Sequence, residues 1–337
     1  MGVNFFGIKL RSKESINKQF KVAEFADGTP ISLLIRVVSG LKEGPLISML
    51  GAQHGDEYNG IVAINRLLDQ LDPEELSGTI IAIPLSNPLA FYTDECMAPP
   101  SMGYRRLNMN TVWPGDREGL LTQRIVSAIW ENIIIQSDYI IDFHDGGRII
   151  ICRYILAEHL KETDRQVVDQ IKKLYTLFGQ GVPVQFLDHS GHHQRMGALT
   201  RLGSLSIQAG LIGIPCIMAE MGGGLRIWEE HVQTAVQGAK NIMIGLGMLQ
   251  EEPVGHDKEQ IVAKESAWLR SKHGGILYNN CELNEIVEKK ASLGVIKDIA
   301  GRSIEEIFAP YKSILTDVRY QPKVHSGDWL YWCGKIE

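Results

Sequence analysis

The chain has 337 residues, a length typical of two domains, and its 44% hydrophobic and 22% charged residues are sufficient for complete cores. The net charge of −6 argues against nucleic acid as a partner. The first residues lack the pattern of a secretory signal, and no apolar run approaches the ~18 residues of a membrane helix. The five cysteines are dispersed, as free thiols in a reducing compartment would be. We therefore expect a cytoplasmic protein with no membrane partner.

The first 250 residues predict strands that alternate with helices. In chain order we predict a hairpin over 20–39, a strand at 46–50, a helix at 58–71, a strand at 79–85, a helix at 120–135, a strand at 139–143, an amphipathic segment at 165–178, a helix at 204–211, a strand at 215–219 and a helix at 228–249. This alternation indicates an α/β fold with a mostly parallel mixed sheet flanked by helices.

The pattern changes after residue 249. Residues 251–257 have the composition of a linker, and residues 260–337 contain short strands separated by Gly, Pro and Asn-Asn turns. We therefore predict two domains, at 1–252 and 258–337, the second of them a small all-β domain. Its last hairpin resembles the barrel-sandwich hairpins of biotinyl and lipoyl carriers. The lysine motifs of those carriers, Met-Lys-Met and Asp-Lys-Ala, do not occur here. We therefore interpret the domain as a structural one that forms a wall of the ligand-binding cleft.

Four polar residues follow apolar, strand-like runs: His54, Asn87, His144 and Glu220. Ligands of open α/β sheets bind beyond the carboxyl ends of the strands. These residues are far apart in sequence, but their shared topological position predicts that they converge on one site.

Two histidines and a glutamate form the strongest chemical signal of the chain. His54 and Glu57 are three residues apart, so a helical turn or a tight loop directs both to one point. Together with His144 they make a common catalytic zinc set that leaves one position for water. Glu220 ends a buried strand beside three glycines and has the chemistry of a base. Taken singly, each also fits a polar loop or turn, and Asp142 fits either a residue that orients a ligand or a strand-end carboxylate.

The combined motifs resemble the succinylglutamate desuccinylase/aspartoacylase family, which belongs with the zinc carboxypeptidase-like hydrolases. The motifs are Gly-x-x-His-Gly-x-Glu, Asn-Pro-x-Ala, Asn-x-Asn before Pro-Gly, Asp-x-His and Glu-x-Gly-Gly, in that order over residues 46–250. The C-terminal segment is also similar to the β domain of that family. The resemblance implies a zinc-dependent hydrolase domain at 1–252.

The resemblance further implies a role for individual residues. His54, Glu57 and His144 would hold one Zn²⁺ per chain, and Glu220 would activate the water. Arg105 and Arg106 match the region where relatives carry an arginine that stabilises the oxyanion, and we favour Arg106. The simpler alternative is a solvated pair of basic residues on a loop.

One departure from the family concerns the substrate. Relatives read Asp-Leu-Asn-Arg where this chain has Asn108-Met109-Asn110-Thr111. Thr111 therefore replaces the arginine that, with the asparagine before it, grips a substrate carboxylate. A threonine hydroxyl offers no charged fork, so either another arginine replaces it or the substrate lacks a carboxylate there.

A second histidine cluster lies at residues 189–195, where His189, His192 and His193 surround Gly191. It fits either a second metal site or a mobile loop. We favour the loop, because Asp188 is its one close carboxylate. Arg195 or Arg201 could supply the anion contact that Thr111 lacks.

The sequence thus predicts a zinc amidohydrolase that removes an acyl group from an N-acylated amino acid or a related small amine. The alternatives are a metallocarboxypeptidase or peptide amidase with the same metal site, and a non-catalytic relative that binds zinc or a small molecule. The ligand set also accepts manganese or cobalt. A homo-oligomer is compatible with the sequence.

Overall fold

The computed structural model describes residues 4–102, 105–189, 201–255 and 257–336. The elements of the first 250 residues are β1 (Asn4–Phe5), β2 (Ile8–Lys9), β3 (Glu14–Glu24), β4 (Pro30–Ser39), β5 (Lys42–Gly51), α1 (Asn59–Leu68), β6 (Ser77–Ile83), α2 (Pro88–Phe91), α3 (Leu121–Asn132), β7 (Tyr139–His144), β8 (Ile150–His159), α4 (Arg165–Phe178), β9 (Val184–Asp188), α5 (Leu205–Leu211), β10 (Cys216–Gly223) and α6 (Glu229–Gly245). Short 3₁₀ turns lie at Pro100–Met102, Met109–Thr111, Ile134–Gln136 and Arg201–Gly203.

The remaining described elements are all strands. They are β11 (Val262–Ala263), β12 (Ser266–Arg270), β13 (Gly275–Asn279), β14 (Ile286–Val287), β15 (Ser292–Lys297), β16 (Ser303–Phe308), β17 (Ser313–Arg319), β18 (Lys323–Val324) and β19 (Trp329–Lys335).

One large mixed sheet organises the molecule. Its strand order is β12-β19-β17-β8-β10-β7-β5-β6-β4-β3. The four strands β10, β7, β5 and β6 run parallel to one another, while β8 and β4 flank them in antiparallel orientation. This confirms the predicted α/β class with a mostly parallel mixed sheet.

Helices cover both faces of the sheet. Successive side chains of a strand point to opposite faces, and the apolar side chains on each face must be buried. On β7, Ile141 and Phe143 pack into a core that also contains buried residues of α1, α4 and α6. Ile140 faces the opposite core, to which α3 and α5 contribute. Asp142 and His144 follow Ile140 by two and four residues along the strand, so their side chains point to the same face of the sheet, the α3 side. No described helix is long and apolar enough to cross a lipid bilayer.

The predicted strands and helices of the first domain are present, with ends that differ by a few residues, but four strands lie outside the prediction. Two of them, β1 and β2, form a short antiparallel pair. The other two, β8 and β9, pair with each other in parallel. Strand β8 is antiparallel to β10, and this pairing brings Tyr154 opposite Glu220 and Cys152 opposite Gly222. The sequence analysis predicted parallel strands joined by helices, so it did not anticipate the antiparallel strand β8 beside β10.

The C-terminal segment is built from strands, as predicted, and divides between two sheets. Strands β16, β15, β13 and β18 form a separate four-stranded antiparallel sheet. Strands β17, β19 and β12 instead extend the large sheet, because β17 pairs with β8 through Val318 and Ile151. The domain limits at 252 and 258 stay a prediction, since hydrogen bonding continues from one segment into the other.

Candidate metal centre

The predicted site residues lie at the carboxyl ends of three adjacent parallel strands. His54 follows the end of β5 by three residues, His144 is the last residue of β7, and Glu220 lies in β10. His144 and Glu220 are direct partners in the β7–β10 pairing. Because partners on adjacent strands point to the same face, both side chains lie on the α3 side of the sheet.

The turn that carries His54 and Glu57 is held closely against the loop after β6. A side chain at Gly55 would come within 2.1 Å of the backbone carbon of Ala90 in α2, so the turn tolerates only glycine there. The Asn87 amide donates a hydrogen bond to the backbone oxygen of Gln53 at 2.9 Å and caps α2. These contacts explain why a polar Asn-Pro segment after the neighbouring strand belongs to the site.

His54, Glu57 and His144 place three potential metal ligands together. Nδ1 of His54 lies 2.6 Å from Oε1 of Glu57, and Nδ1 of His144 lies 3.0 Å from Oε2. One ligand atom from each of the three residues lies within 4.8 Å of the others. Among the described residues, Oε2 of Glu57 is buried and finds no hydrogen-bond partner with acceptable geometry. A buried carboxylate oxygen that lies 3.0 Å from the imidazole Nδ1 of His144 without a hydrogen bond fits a divalent metal ion.

Each histidine is held on its other ring nitrogen by an oxygen atom. Nε2 of His144 lies 3.0 Å from Oδ2 of Asp142, which is fully buried. Nε2 of His54 lies 3.0 Å from Oδ1 of Asn108. Metal-ligating histidines characteristically donate their second N–H to such an acceptor, so these two contacts also fit a metal site.

Asp145 joins the two segments that carry the ligands. Its buried carboxylate accepts the backbone N–H groups of Tyr58 and Asn59 at 3.0 and 3.1 Å, and the side-chain amide of Asn59 at 2.7 Å. These donors lie at the start of α1, where a carboxylate is stabilised by the unpaired N–H groups of the helix. Asp145 therefore holds Glu57 at a set distance from His144.

Opposite charges dominate the electrostatics of the three ligands. Burial alone would raise the pKa of Glu57, but the two imidazoles lower it to about 2. Burial would lower the pKa of each histidine, yet the pKa of His54 is raised by Glu57, and that of His144 is raised well above 6.5 by Asp142 and Glu57. In the protein without bound metal, the ionised Glu57 therefore favours the protonated form of both imidazoles.

We expect metal binding to release protons. Both imidazoles must lose a proton to become ligands, so affinity should rise with pH while they are protonated, by up to about two log units per pH unit. Glu57, with a pKa of about 2, adds no dependence near neutrality. Calorimetric titration of the apoprotein with Zn²⁺ in buffers of different ionisation enthalpy measures the protons released. A value near zero at pH 6 would contradict the assignment of these two histidines.

Glu220 lies beside the ligands and against β8. Its Oε2 atom is 3.6 Å from the thiol of Cys152, which is fully buried and also contacts the backbone oxygen of Gly222. Three glycines follow Met221, two at the end of β10 and Gly224 in the loop after it, and a side chain at Gly224 would come within 2.6 Å of Tyr320. The C-terminal segment thus packs against the glycine loop that follows the predicted base.

The two predicted arginines lie at the rim of the site. Both are exposed, and Arg106 forms an ion pair of 2.6 Å with Glu95. The backbone oxygen of Glu95 accepts the N–H of Gly55, so this pair is adjacent to the turn of His54. The role of either arginine stays a prediction.

Asn110 and Thr111, the predicted substrate contacts, are tied to neighbouring backbone. Oδ1 of Asn110 accepts the N–H of Leu205 at 3.0 Å, and the Thr111 hydroxyl donates to the backbone oxygen of Asn108 at 2.8 Å. Gly203 packs directly on the carbonyl of Thr111. Their contact with substrate stays a prediction.

The predicted loop at residues 189–195 falls largely outside the described residues, as do Arg195 and the side chain of Arg201. His189 is described, and its Nε2 atom lies 2.8 Å from Oε2 of the buried Glu158. Glu158 also accepts hydrogen bonds from the hydroxyls of Ser204 and Ser206. His189 therefore has a carboxylate partner that the sequence pattern did not indicate.

Comparison with known proteins identifies the family. Residues 43–246 match the model of the succinylglutamate desuccinylase/aspartoacylase catalytic domain. The N-alpha-acetyl-L-2,4-diaminobutyric acid deacetylase of Halomonas elongata is 26% identical over 296 residues, which cover 86% of this chain and 81% of that protein.

Solved structures show the same fold over nearly the whole chain. A succinylglutamate desuccinylase from Silicibacter sp. TM1040 has a TM-score of 0.80 at 21% identity, and the match covers 97% of each chain. The product-bound ectoine utilization protein EutE (DoeB) from Ruegeria pomeroyi has a TM-score of 0.80 at 20% identity, again over 97% of each chain. Since the family model spans more than half of the sequence, the chain belongs to the succinylglutamate desuccinylase/aspartoacylase family.

Proposed function

We propose that this protein is a zinc-dependent amidohydrolase that releases the acyl group of a small N-acylated amino acid. The observation that carries the proposal is the convergence of His54, Glu57 and His144 within 4.8 Å, next to a strand that bears Glu220. Family membership and the relative named as a deacetylase support the same reaction class.

The three ligands would hold one zinc ion and leave a coordination position open. When bound, zinc polarises the amide carbonyl and lowers the pKa of water toward about 7. Glu220 would take a proton from the attacking water and return it to the nitrogen of the leaving amine. Arg106, if released from Glu95, would stabilise the negative charge that develops on the carbonyl oxygen.

We further propose that the amino acid carries a neutral or cationic side chain. Thr111 lacks the charged fork that would grip a second carboxylate. Two exposed arginines already form ion pairs with carboxylates: Arg106 with Glu95, and Arg148, whose backbone N–H contacts Asp56, with Asp94. The deacetylase of Halomonas elongata is named for an acetylated diamino acid, whose free amine is cationic at neutral pH. These features support a substrate without an anionic side chain.

Introducing arginine at position 111 should shift the substrate preference toward acidic amino acids. A charge-assisted contact to a substrate carboxylate is worth roughly 2–5 kcal/mol, so we expect kcat/KM for N-acetyl-aspartate or N-acetyl-glutamate to rise by at least about tenfold in Thr111→Arg. The measurement is kcat/KM over N-acetyl amino acids of different charge.

Thr111→Gln is the matched control, since it adds length without charge and should leave the preference unchanged. A strong preference of the wild type for acidic substrates would contradict the argument if it persisted in the Arg195→Ala, Arg201→Ala double variant. That result would show that acidic substrates are recognised without an arginine at position 111 and without Arg195 or Arg201.

The reaction class is tested by metal analysis of the purified protein, followed by an amine-release assay. The zinc-loaded protein is offered N-acetyl amino acids and, separately, short peptides with free carboxyl ends. Turnover of the first set supports the proposal. Preference for the peptides would identify a carboxypeptidase, and bound zinc without turnover of either set would identify a binding protein.

A further inference from the structure

The segment 108–113 lies against both metal-binding histidines, on the side away from Glu57. At its first residue, Oδ1 of Asn108 faces Nε2 of His54 at 3.0 Å and also accepts the backbone N–H of Asn110 at 2.8 Å. A backbone N–H can only donate, so this atom of Asn108 must be the oxygen. Nε2 of His54 therefore carries hydrogen, and Nδ1 is the nitrogen that remains for a metal ion.

At its last residue, the segment reaches His144 through two intermediate side chains. Nε1 of Trp113 donates to Oε1 of Gln53 at 2.8 Å, and an indole can only donate. This orients the Gln53 amide, whose Nε2 then donates to Oδ2 of Asp142 at 2.6 Å. The same carboxylate oxygen accepts Nε2 of His144 at 3.0 Å, which leaves Nδ1 facing Glu57.

The contacts of this relay are made in a dry environment. Gln53 and Asp142 are fully buried, and Trp113 is 3% exposed. Water cannot replace a lost partner easily there, so a missing hydrogen bond leaves an unsatisfied polar group. The segment is itself anchored, because the backbone N–H of Trp113 donates a hydrogen bond to the backbone oxygen of Gly203 at 3.0 Å.

We propose that segment 108–113 positions both metal-binding histidines, His54 directly through the neutral amide of Asn108 and His144 through the Trp113–Gln53–Asp142 relay. The inference rests on the proposed metal function. The two histidines are consequently unequal ligands: a carboxylate polarises His144, whereas an uncharged oxygen holds His54. Asn108, Gln53 and Trp113 are positioning residues, since each acts through other side chains: Asn108 through His54, and Trp113 and Gln53 through Asp142, which holds His144.

Three substitutions at Asn108 separate its two hydrogen bonds. Asn108→Asp keeps an oxygen for both His54 and the N–H of Asn110. Asn108→Ser keeps a cap for the 3₁₀ turn, but its short side chain does not reach His54. Asn108→Leu loses both contacts. We expect the serine and leucine variants to bind Zn²⁺ about 10- to 100-fold more weakly, and the aspartate variant to bind within a few-fold of wild type.

The readouts are competition with a chromophoric chelator for Zn²⁺ and the visible absorption spectrum of the Co²⁺-loaded protein. Circular dichroism of the apoprotein checks that each variant is folded. Wild-type Zn²⁺ affinity and an unchanged Co²⁺ spectrum in a folded Asn108→Ser variant would overturn the role of Asn108.

The relay is tested with a pair of neighbouring tryptophans. Trp113→Phe keeps an aromatic ring but removes the donor to Gln53, and we expect at least about tenfold weaker Zn²⁺ binding. Trp130 packs against Trp113, with ring centroids 6.3 Å apart. Trp130→Phe is therefore the matched control and should bind Zn²⁺ as the wild type does. Equal affinities for the two variants would overturn the relay.

These measurements do not require a known substrate. Weakened metal binding in the variants would support the positioning role even if no N-acyl amino acid were hydrolysed, in which case the proposed function alone would fail. Unchanged binding in an active deacylase would refute the positioning role alone.

Discussion

Glu220→Gln should lower kcat by at least about 100-fold while Zn²⁺ remains bound. An amide cannot accept the proton of the attacking water, and general-base catalysis typically contributes a factor of this size or more. The fold should be retained, because glutamine has nearly the same shape as glutamate and the side chain of Glu220 is only half-buried. The measurement is kcat with the best N-acetyl amino acid, together with the zinc content.

Glu230→Gln is a suitable control for this substitution. Glu230 is exposed on the first turn of α6, so the same chemical change there should leave kcat unchanged. If Glu220→Gln retained most of its kcat with a full equivalent of zinc, Glu220 would be a structural residue and the base would have to be sought elsewhere.

The second large effect is expected at the ligands themselves. His54→Ala and His144→Ala should each lower the zinc content sharply, because two remaining protein ligands seldom retain the ion. In the double variant we expect less than about a tenth of an equivalent per chain after dialysis against a weak chelator. The zinc content is measured by atomic emission on protein purified in parallel with the wild type.

His273→Ala controls for the loss of a histidine as such. Its ring lies 3.4 Å from Glu305 in the C-terminal segment and is largely exposed, so the variant should keep the wild-type zinc content. Near-stoichiometric zinc in the His54→Ala, His144→Ala double variant would end the assignment of the metal centre to these residues.

The sequence determined the architecture and family because both depend on local patterns. The hairpin of β3 and β4 follows from two runs of strand-forming residues around an Asp-Gly turn. The central strands are continuous apolar runs, as strands buried on both faces must be. The position of His54, His144 and Glu220 just after or at the end of such runs was sufficient to predict their convergence, since parallel strands end at the same edge of a sheet.

Local patterns were not sufficient for the partners of those residues. Asn108 and Trp113 are separated from His54 and Gln53 by 54 and 60 residues, and nothing in the composition of the segment indicates that its side chains turn toward the metal ligands. Asp145 was overlooked for a similar reason. A carboxylate before two glycines is typical of a turn, and its role at the start of α1 depends on the packing of β7 beside that helix.

Tertiary structure alone decided how the large sheet is completed. Strand β8 is an apolar run, and such a run has no direction of its own; its antiparallel pairing with β10 places Cys152 and Tyr154 beside Glu220. The C-terminal strands β17, β19 and β12 continue the same sheet because β8 would otherwise leave unpaired N–H and C=O groups at that edge. Strand order and register are properties of hydrogen-bonded pairs, so the sequence of one strand specifies its buried face but not its neighbour.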